Sequence, residues 1–320
     1  MLKKLIAVLL FCAASGAHAQ TYPSKPVRMI VPYPPGGGVD GMARPLADQL
    51  SKRWGQPVIV ENKAGAATII GAESVAKAAP DGYTLLLTSE STITSNPHIY
   101  VKLPYDPLKD LAPVTQLIGL PQMVVVHPSV AANSLPELVA LAKAQPGKLN
   151  YGSYGNGSQP HLLFEGLKAQ TGASLTHVPY KGIAPALQAA LAGEVQLTMA
   201  GASVARGHIL AGKLKPLAIA RSERLALMPD VPTLKEAGYP DINPQSWFGL
   251  FTTGGAPREV IDRIYKDVHG IFAEPEFRER HITLRGFDGI ISTPQEFERF
   301  IREDLQQKAR LIQQTGLKPE

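Results

Sequence analysis

The stretch that decides the fold is Val27–Gly41, which reads VRMIVPYPPGGGVDG. Its first five residues are apolar or β-branched apart from one arginine, and such a run predicts a short strand. Prolines end that strand, and a glycine-rich turn then leads into a helical stretch that ends near Trp54. The segment therefore predicts a strand–turn–helix unit of the kind from which α/β folds are built.

The same alternation of strand and helix continues along the chain. Two helix starts carry capping-box spacing, Ser134–Glu137 and Thr293–Glu296. The remaining strands are predicted at Val58–Glu61, Tyr83–Thr88, Met123–His127, Leu149–Ser153, Leu175–Val178, Val195–Ala200, Pro216–Ala220 and Trp247–Thr252. We therefore expect an α/β fold with parallel-rich sheets flanked by helices on both faces. The length of 320 residues predicts about two domains, and no linker separates them, so two lobes are expected to share the chain.

The composition is that of a globular protein and excludes several classes of function. Hydrophobic residues make up 44% of the chain and charged residues 18%, which leaves enough apolar side chain for a sizeable core. The net charge is only +5 and no dense lysine or arginine run occurs, which argues against a nucleic-acid partner. Cys12 is the only cysteine and the histidines are scattered, so the sequence predicts no disulfide framework, no metal site and no cofactor.

The N-terminal segment, Met1–Gln20, has the layout of a signal peptide. Two lysines precede an apolar run of about ten residues, which is too short to span a membrane. A small-x-small motif that ends at Ala19 then provides a cleavage site. We therefore expect residues 1–19 to be removed after Ala19 and the protein to reside in a bacterial periplasm. The exported chain then has no thiol, since Cys12 leaves with the signal peptide.

The glycine-rich turn Gly36–Gly41 also fits the G-x-G-x-x-G pattern of dinucleotide-binding folds, and Glu61 ends the next strand about 20 residues later. A nicotinamide-dinucleotide-binding protein is therefore one alternative. Against it, Asp40 inside the loop opposes a pyrophosphate, and an exported protein meets little of this cofactor. The simpler interpretation is an anion site, because a helix N-terminus offers unpaired N–H groups beside a positive dipole end. A purely structural role, in which Asp40 caps the first helical turn, stays open.

Other polar or glycine-rich loops follow predicted strands in the same way, at Thr88–Thr92, Tyr151–Ser158, Val178–Gly182 and Thr198–Ser203. Within them, Ser153 and Ser158 raise the alternative of an exported hydrolase, but neither lies in a G-x-S-x-G motif. Helix capping and turn formation explain several of these residues equally well. Since open α/β folds bind ligands at the carboxyl ends of parallel strands, we expect two lobes to close over one small anion.

A set of short segments, spread over nearly the whole exported chain, carries a family resemblance. The segments are YPSKPVRMIVPYPPGGGVD (Tyr22–Asp40), ENKAG (Glu61–Gly65), DGYTL (Asp81–Leu85), YGSYGNGSQPHL (Tyr151–Leu162), HVPYKGIAPA (His177–Ala186), PDVPTLKEAG (Pro229–Gly238) and WFGL (Trp247–Leu250). In this order and behind a signal peptide, they resemble the Bug-type periplasmic solute receptors of tripartite tricarboxylate transport systems.

The resemblance implies a two-lobed type II periplasmic-binding-protein fold and a small carboxylate ligand, which is a di- or tricarboxylic, amino or aromatic acid. It implies that loops of both lobes hold the carboxylate through backbone amides and waters, and that no reaction is catalysed. The implied partners are membrane subunits of a transporter or a sensor kinase, and we expect the receptor to be a monomer. Carried over by position, the ligand-binding residues are Pro35, Gly36, Gly37, Gly38, Asp40, Ser89, Glu90, Ser91, Ser153, Gly155, Gly157, Ser158, His161, Tyr180, Lys181, Gly182, Gly201 and Ser203.

The resemblance also divides the chain and shows where it departs from the family. We expect lobe 1 to combine residues 20–120 with 247–320 and lobe 2 to span 121–246, with a hinge at the two crossings. Gln196–Ala200 reads QLTMA where the family often has an aromatic residue and an acid, and Pro45 is expected to interrupt the first helix. Glu90 would repel a second carboxylate nearby, which hints at a ligand that carries an amine.

Overall fold

The computed structural model describes residues 22–180, 182–221, 223–242 and 246–317. Its strands are β1 (Val27–Val31), β2 (Val58–Asn62), β3 (Thr84–Ser89), β4 (Leu111–Gly119), β5 (Gln122–Val126), β6 (Asn150–Ser153), β7 (Thr176–Pro179), β8 (Leu197–Gly201), β9 (Lys215–Ala220), β10 (Trp247–Thr253) and β11 (Asp288–Gly289). All strands predicted from the sequence are therefore confirmed to within two residues. The signal-peptide prediction lies outside the described residues.

Helices connect most of these strands. They are α1 (Gly38–Trp54), α2 (Ile69–Ala76), α3 (Asn96–Ile99), α4 (Leu135–Ala144), α5 (Gln159–Thr171), α6 (Ile183–Ala192), α7 (Ala202–Leu210), α8 (Arg258–Ala273), α9 (Pro275–Arg278) and α10 (Pro294–Thr315). A 3₁₀ turn (Ala66–Thr68) and two π-helical turns (Ser91–Ser95 and Glu279–Thr283) complete the described helical structure. Within the described ranges, no helix is both long and apolar enough to cross a membrane.

The strands form two sheets, and the chain passes between them twice. The first sheet has the order β11-β4-β10-β3-β1-β2 and the second has the order β7-β6-β8-β5-β9. The chain leaves the first sheet between β4 and β5 and returns between β9 and β10. A bidentate ion pair between Arg221, just after β9, and Asp288 in β11 also joins the two sheets, with distances of 2.9 and 3.1 Å.

Parallel pairing, which the alternation predicted, holds for only part of each sheet. β1 pairs in parallel with β2 and β3, and β6 with β7 and β8, as expected for strands linked through crossover helices. In contrast, β10 runs antiparallel to β3 and β4, and β5 runs antiparallel to β8 and β9. β11 also runs antiparallel to β4. β5 and β10 are the strands that receive the chain from the other sheet. Each enters without a helical crossover from its neighbour, so nothing imposes a parallel direction.

The first helix, α1, lies against the first sheet and runs through Pro45 without interruption, which corrects the sequence prediction. A proline inside a helix removes the N–H that would bond to the carbonyl four residues earlier, here Gly41. That carbonyl instead accepts a hydrogen bond of 3.1 Å from Nη1 of Arg285. The replacement donor explains why the helix continues to Trp54, beyond which Gly55 in the left-handed conformation ends it (φ 64°).

The C-terminal helix, α10, packs against both sheets. Phe297 and Ile301 lie in a buried cluster with Trp247 and residues of the first sheet. Leu311 and Ile312 lie about ten residues further along the same helix, in the core of the second sheet. The predicted capping box at Thr293 and Glu296 is present and fixes where this helix begins. The helix thus spans the region where the chain crosses between the sheets.

Candidate functional site

The loop between β1 and α1 is exposed from Pro34 to Gly38, and its shape depends on Asp40. The Asp40 carboxylate accepts 2.9 Å hydrogen bonds from the Gly36 N–H, the Arg44 guanidinium and the Asn62 amide. Burial disfavours ionisation of Asp40, but these donors outweigh it and lower its pKa. Asp40, only 3% exposed, therefore holds the loop in shape; the backbone N–H that it accepts is that of Gly36, ahead of the helix, and not one of the first helical turn that the structural interpretation predicted.

A short polar loop follows β3 beside the first one. The Tyr33 hydroxyl and the Ser89 hydroxyl lie 2.7 Å apart, and the Ser91 N–H donates to Oγ of Ser89 at 3.3 Å. Between the two serines, Glu90 is 2% exposed, and its Oε2 accepts hydrogen bonds from Ser246 and Trp247. The carboxylate is thus directed into the protein, which removes the basis for pairing Glu90 with a ligand amine.

In the second sheet, the loop after β6 is built on two glycines with positive φ, Gly155 (124°) and Gly157 (70°). The Gly157 N–H donates to Nδ1 of His161 at 2.9 Å, and the Ser158 hydroxyl donates to the Gly155 carbonyl at 2.6 Å. Burial and the neighbouring His177 ring lower the pKa of His161 to about 4, so this imidazole is neutral at neutral pH. The hydrogen bond that holds the Gly157 N–H, and with it the loop, therefore has an uncharged acceptor.

The hydroxyl of Ser153 lies 2.6 Å from Nε2 of His177, a contact that the hydrolase alternative would require. Ser153, however, is fully buried, and its Oγ also accepts the Gly155 N–H at 3.1 Å. The ring of His177 stacks between those of Tyr151 and His161, with centroids 4.9 and 4.2 Å away. Among the described residues, no carboxylate is hydrogen bonded to His177. The arrangement therefore serves packing and loop shape rather than a nucleophile.

The remaining candidate residues lie at the starts of α6 and α7. Gly182 (φ 134°) is the N-cap of α6, and Gly201 is the N-cap of α7. Tyr180, which follows β7, donates its backbone N–H to the Ser153 carbonyl at 2.8 Å and so joins the loops after β6 and β7. Lys181 and the side chain of Ser203 lie outside the described part of the chain.

The helices that follow these loops share one feature, the lack of a side-chain cap. The N-caps of α1, α5, α6 and α7 are Gly37, Ser158, Gly182 and Gly201, and none of them makes a side-chain cap hydrogen bond. The starts of α2, α3, α8 and α9 lack one as well. The N-caps of α4 and α10, Ser134 and Thr293, do make it. Since the first N–H groups of a helix have no partner within the helix, uncapped starts retain donors for an anion.

A small cavity of about 120 Å³ lies where the loop after β6 meets α3 and α10. Its lining comprises His98, Ile99, Asn156, Gly157, His161, Ile312 and Leu317. Because Gly157 touches Ile99 directly, the loop after β6 packs against the helical segment that follows β3. In the described residues, no group of three or more His, Cys, Asp or Glu side chains is placed to hold a metal ion.

The geometry gives no support to the dinucleotide alternative. Asp40, the acid within the G-x-G-x-x-G stretch, stays ionised beside the helix start, where it repels a pyrophosphate. Sequence reasoning missed three residues that shape these loops: Asn62, His177 and Arg285. None of them belongs to a glycine-rich segment, and each contacts a residue of another segment of the chain. Asn62, the polar residue that ends β2, was the only one of the three with a local sequence signal.

Comparisons with known proteins agree with this arrangement. The family model described as "Tripartite tricarboxylate transporter family receptor" matches residues 42–317. The chain is similar to protein BugT of Bordetella pertussis, with 37% identity over 321 residues, 98% of this chain and 98% of BugT. It is similar to an R. palustris protein solved with adipate, with 30% identity, a TM-score of 0.85 and coverage of 93% and 100%. MatC from Rhodopseudomonas palustris with bound malate has 30% identity, a TM-score of 0.81 and coverage of 91% and 100%.

Proposed function

Because the chain belongs to the tripartite tricarboxylate transporter receptor family, we propose that it is a periplasmic receptor that captures a small carboxylate between two lobes. Family membership confirms the resemblance drawn from the sequence and, with it, the two-lobed periplasmic-binding-protein fold. The members and neighbours of this family are solute-binding receptors, and we assign no catalysed reaction to this chain.

The observation that carries the proposal is the set of uncapped helix starts after β1, β6, β7 and β8. These starts belong to both sheets, and each follows the carboxyl end of a strand. A carboxylate placed among them accepts hydrogen bonds from N–H groups whose dipoles favour negative charge. The ligand residues that we propose are those expected from the sequence, with the exception that Asp40, Glu90, Ser153 and His161 act through the shape of the loops rather than on the ligand.

We propose that the lobes follow the two sheets. Lobe 1 then comprises residues 20–120 and 247–320, and lobe 2 comprises 121–246, with hinges between β4 and β5 and between β9 and β10. The relatives solved with adipate and malate favour a short dicarboxylate as the ligand class. Closure around it would bring the loops of both lobes onto one carboxylate.

We further propose that the closed receptor, as a monomer, delivers its ligand to membrane subunits of a transporter. A sensor kinase is the alternative recipient. Export with removal of residues 1–19 after Ala19 belongs to the same proposal, since such a receptor works outside the cytoplasmic membrane. Intact mass measurement of the protein from the periplasm tests the cleavage site, and a mass that retains those residues contradicts it.

Thermal-shift and calorimetric titration against mono-, di- and tricarboxylates, including adipate and malate, test the ligand class. A carboxylate at 100 times its Kd is expected to stabilise the protein by about 2.7 kcal/mol. Amines and sugars of similar size serve as controls and are expected to cause no shift. Absence of a shift with every carboxylate would overturn the proposal.

A further inference from the structure

Glu90 is buried at the point where the candidate ligand loop meets the chain's return into the first sheet. Its neighbours Ser89 and Ser91 belong to the ligand loop after β3. Its carboxylate turns the other way, where Oε2 accepts a hydrogen bond of 3.2 Å from the Ser246 hydroxyl and one of 3.3 Å from the Trp247 N–H. Trp247 begins β10, the strand that brings the chain back from the second sheet, and Ser246 directly precedes it.

The same carboxyl lies among charged and polar groups from three other elements. Asp304 and Lys308 face it from α10, and both are at most 3% exposed. Asp304 in turn accepts hydrogen bonds from the Trp247 indole at 3.0 Å and from the Thr94 hydroxyl at 2.7 Å. A polar network therefore fixes the start of β10, the turn after β3 and the C-terminal helix to one another.

The network also reaches the outward crossing of the chain. Tyr33, after β1, and Tyr154, in the loop after β6, both lie close enough to Glu90 for its negative charge to raise their pKa. The Tyr154 hydroxyl accepts a hydrogen bond of 3.0 Å from Gln122, the first residue of β5. Glu90 thus lies between the two crossings and next to a candidate ligand loop from each sheet.

We propose that Glu90 is a positioning residue that couples the ligand loop after β3 to the hinge, so that it sets the angle between the lobes and, through it, the affinity for ligand. The inference rests on the proposed function but extends it to a residue that the ligand does not touch. Burial raises the pKa of Glu90, and the positive charge of Lys308 opposes this rise. A group that is costly to bury and is hydrogen bonded to two residues at the return crossing is well suited to specify a single arrangement.

The test compares Glu90→Ala with Glu90→Gln, Ser246→Ala and the control Asp267→Ala. Alanine at position 90 removes the acceptor, whereas glutamine keeps a carbonyl oxygen for Ser246 and Trp247. Asp267 is also a buried carboxylate, which accepts hydrogen bonds from Trp54 and Arg263, but it lies on α8 away from both crossings. The control therefore measures the effect of losing a buried carboxylate elsewhere in the same lobe.

The first readout is the distance between spin labels at Lys52→Cys and Lys143→Cys, one in each proposed lobe, in the exported protein without ligand. Both lysines are exposed, and Cys12 lies in the predicted signal peptide, so no other thiol competes. We expect a shifted or broadened distance distribution for Glu90→Ala, a smaller change for Ser246→Ala, and wild-type distributions for Glu90→Gln and Asp267→Ala. If Glu90→Ala fails to fold, Ser246→Ala decides the matter.

The second readout is affinity for adipate and malate by calorimetry. Loss of the buried acceptor is expected to weaken binding about tenfold in Glu90→Ala, and Glu90→Gln is expected to restore it to within about threefold. An unchanged distance distribution in both Glu90→Ala and Ser246→Ala, or an equal change in Asp267→Ala, overturns the inference. Failure of the wild-type protein to bind any carboxylate overturns the proposed function instead, and the distance measurement still decides on Glu90.

Discussion

The loops after β1 and after β6 share one plan but are held in shape by opposite chemistry. Each joins a strand to an uncapped helix through glycines with positive φ. The first is tied by the ionised carboxylate of Asp40, and the second by the neutral imidazole of His161. The first is open to solvent, whereas the second is packed against α3. Side chains of opposite chemistry can therefore hold loops of the same plan in shape.

The largest expected effect arises from the difference in packing between the two loops. A Cβ at Gly157 would overlap Cδ1 of Ile99 at a φ of 70°, whereas one at Gly36 (φ 83°) meets nothing within 4 Å. We expect Gly157→Ala to reduce the free energy of unfolding by about 2–3 kcal/mol and Gly36→Ala by about 1 kcal/mol. Urea denaturation measures both, and equal losses would contradict the difference in packing.

The second prediction concerns the carboxylate that holds the first loop. Asp40→Ala removes the acceptor of the Gly36 N–H, one of the two acceptors of the Asn62 amide and the ion-pair partner of Arg44. We expect a loss of about 2–3 kcal/mol in the free energy of unfolding, together with weaker carboxylate binding. Arg44→Ala is the matched control, because Arg44 is half exposed and its removal leaves the other two bonds in place. An Asp40→Ala variant no less stable than this control would show that the loop does not depend on Asp40.

The third prediction sharpens the comparison through pH. The pKa of His161 is lowered to about 4 in the folded protein. The neutral imidazole therefore contributes its full stabilisation above the unfolded pKa of about 6.5, and this stabilisation is lost as the pH falls towards 4. Between pH 7.5 and 5, this amounts to about 2 kcal/mol. The pKa of Asp40 is also lowered, but from an ordinary value of 3.8 that already lies below this pH window. The stabilisation that Asp40 gives the first loop is therefore unchanged between pH 7.5 and 5. Denaturation of His161→Gln is expected to show a correspondingly smaller loss, and an identical pH dependence would contradict the assignment.

The smallest effect is expected at Ser153. Ser153→Ala removes its contact with His177 and is expected to cost about 1 kcal/mol of stability. Since Ser153 is fully buried, we expect no change in the background hydrolysis of a nitrophenyl ester. Loss of a measurable esterase rate in this variant would revive the hydrolase alternative.

Local sequence signals were enough to find nine of the eleven described strands, the glycine-rich loops and the capping box at Thr293 and Glu296, whereas at Ser134 only the N-cap side-chain bond is present. They missed β4, which contains Pro113, a residue that usually excludes a central strand. In the structure, the register of β4 with β10 shifts next to Pro113, and β11 covers only the last residues of β4, so the missing N–H interrupts little. The sequence could not reveal this, because the tolerance comes from the position of the strand in the sheet.

The roles of Glu90 and Pro45 were misjudged for a related reason. The sequence predicted Glu90 to be a ligand-loop residue because it lies between Ser89 and Ser91. Its side chain instead accepts a hydrogen bond from Trp247 in β10, which is more than 150 residues away in the sequence. The carbonyl left without a donor by Pro45 is bonded by Arg285, which is even more distant in sequence. Partners that meet only in the folded protein leave no periodicity or motif near the residue they serve.

The double crossing of the chain also dictates an order of assembly. All strands of the second sheet lie between residues 122 and 220, whereas β10, which fills the middle of the first sheet, is not available until residues 247–253. Until then, β3 and β4 each present an open edge of the kind that promotes aggregation. The second sheet should therefore acquire amide protection first in pulse-labelled hydrogen exchange during refolding, and simultaneous protection of both sheets would refute this order. The first sheet, which begins with β1 in the first third of the chain, is thus completed only by a strand from its last third.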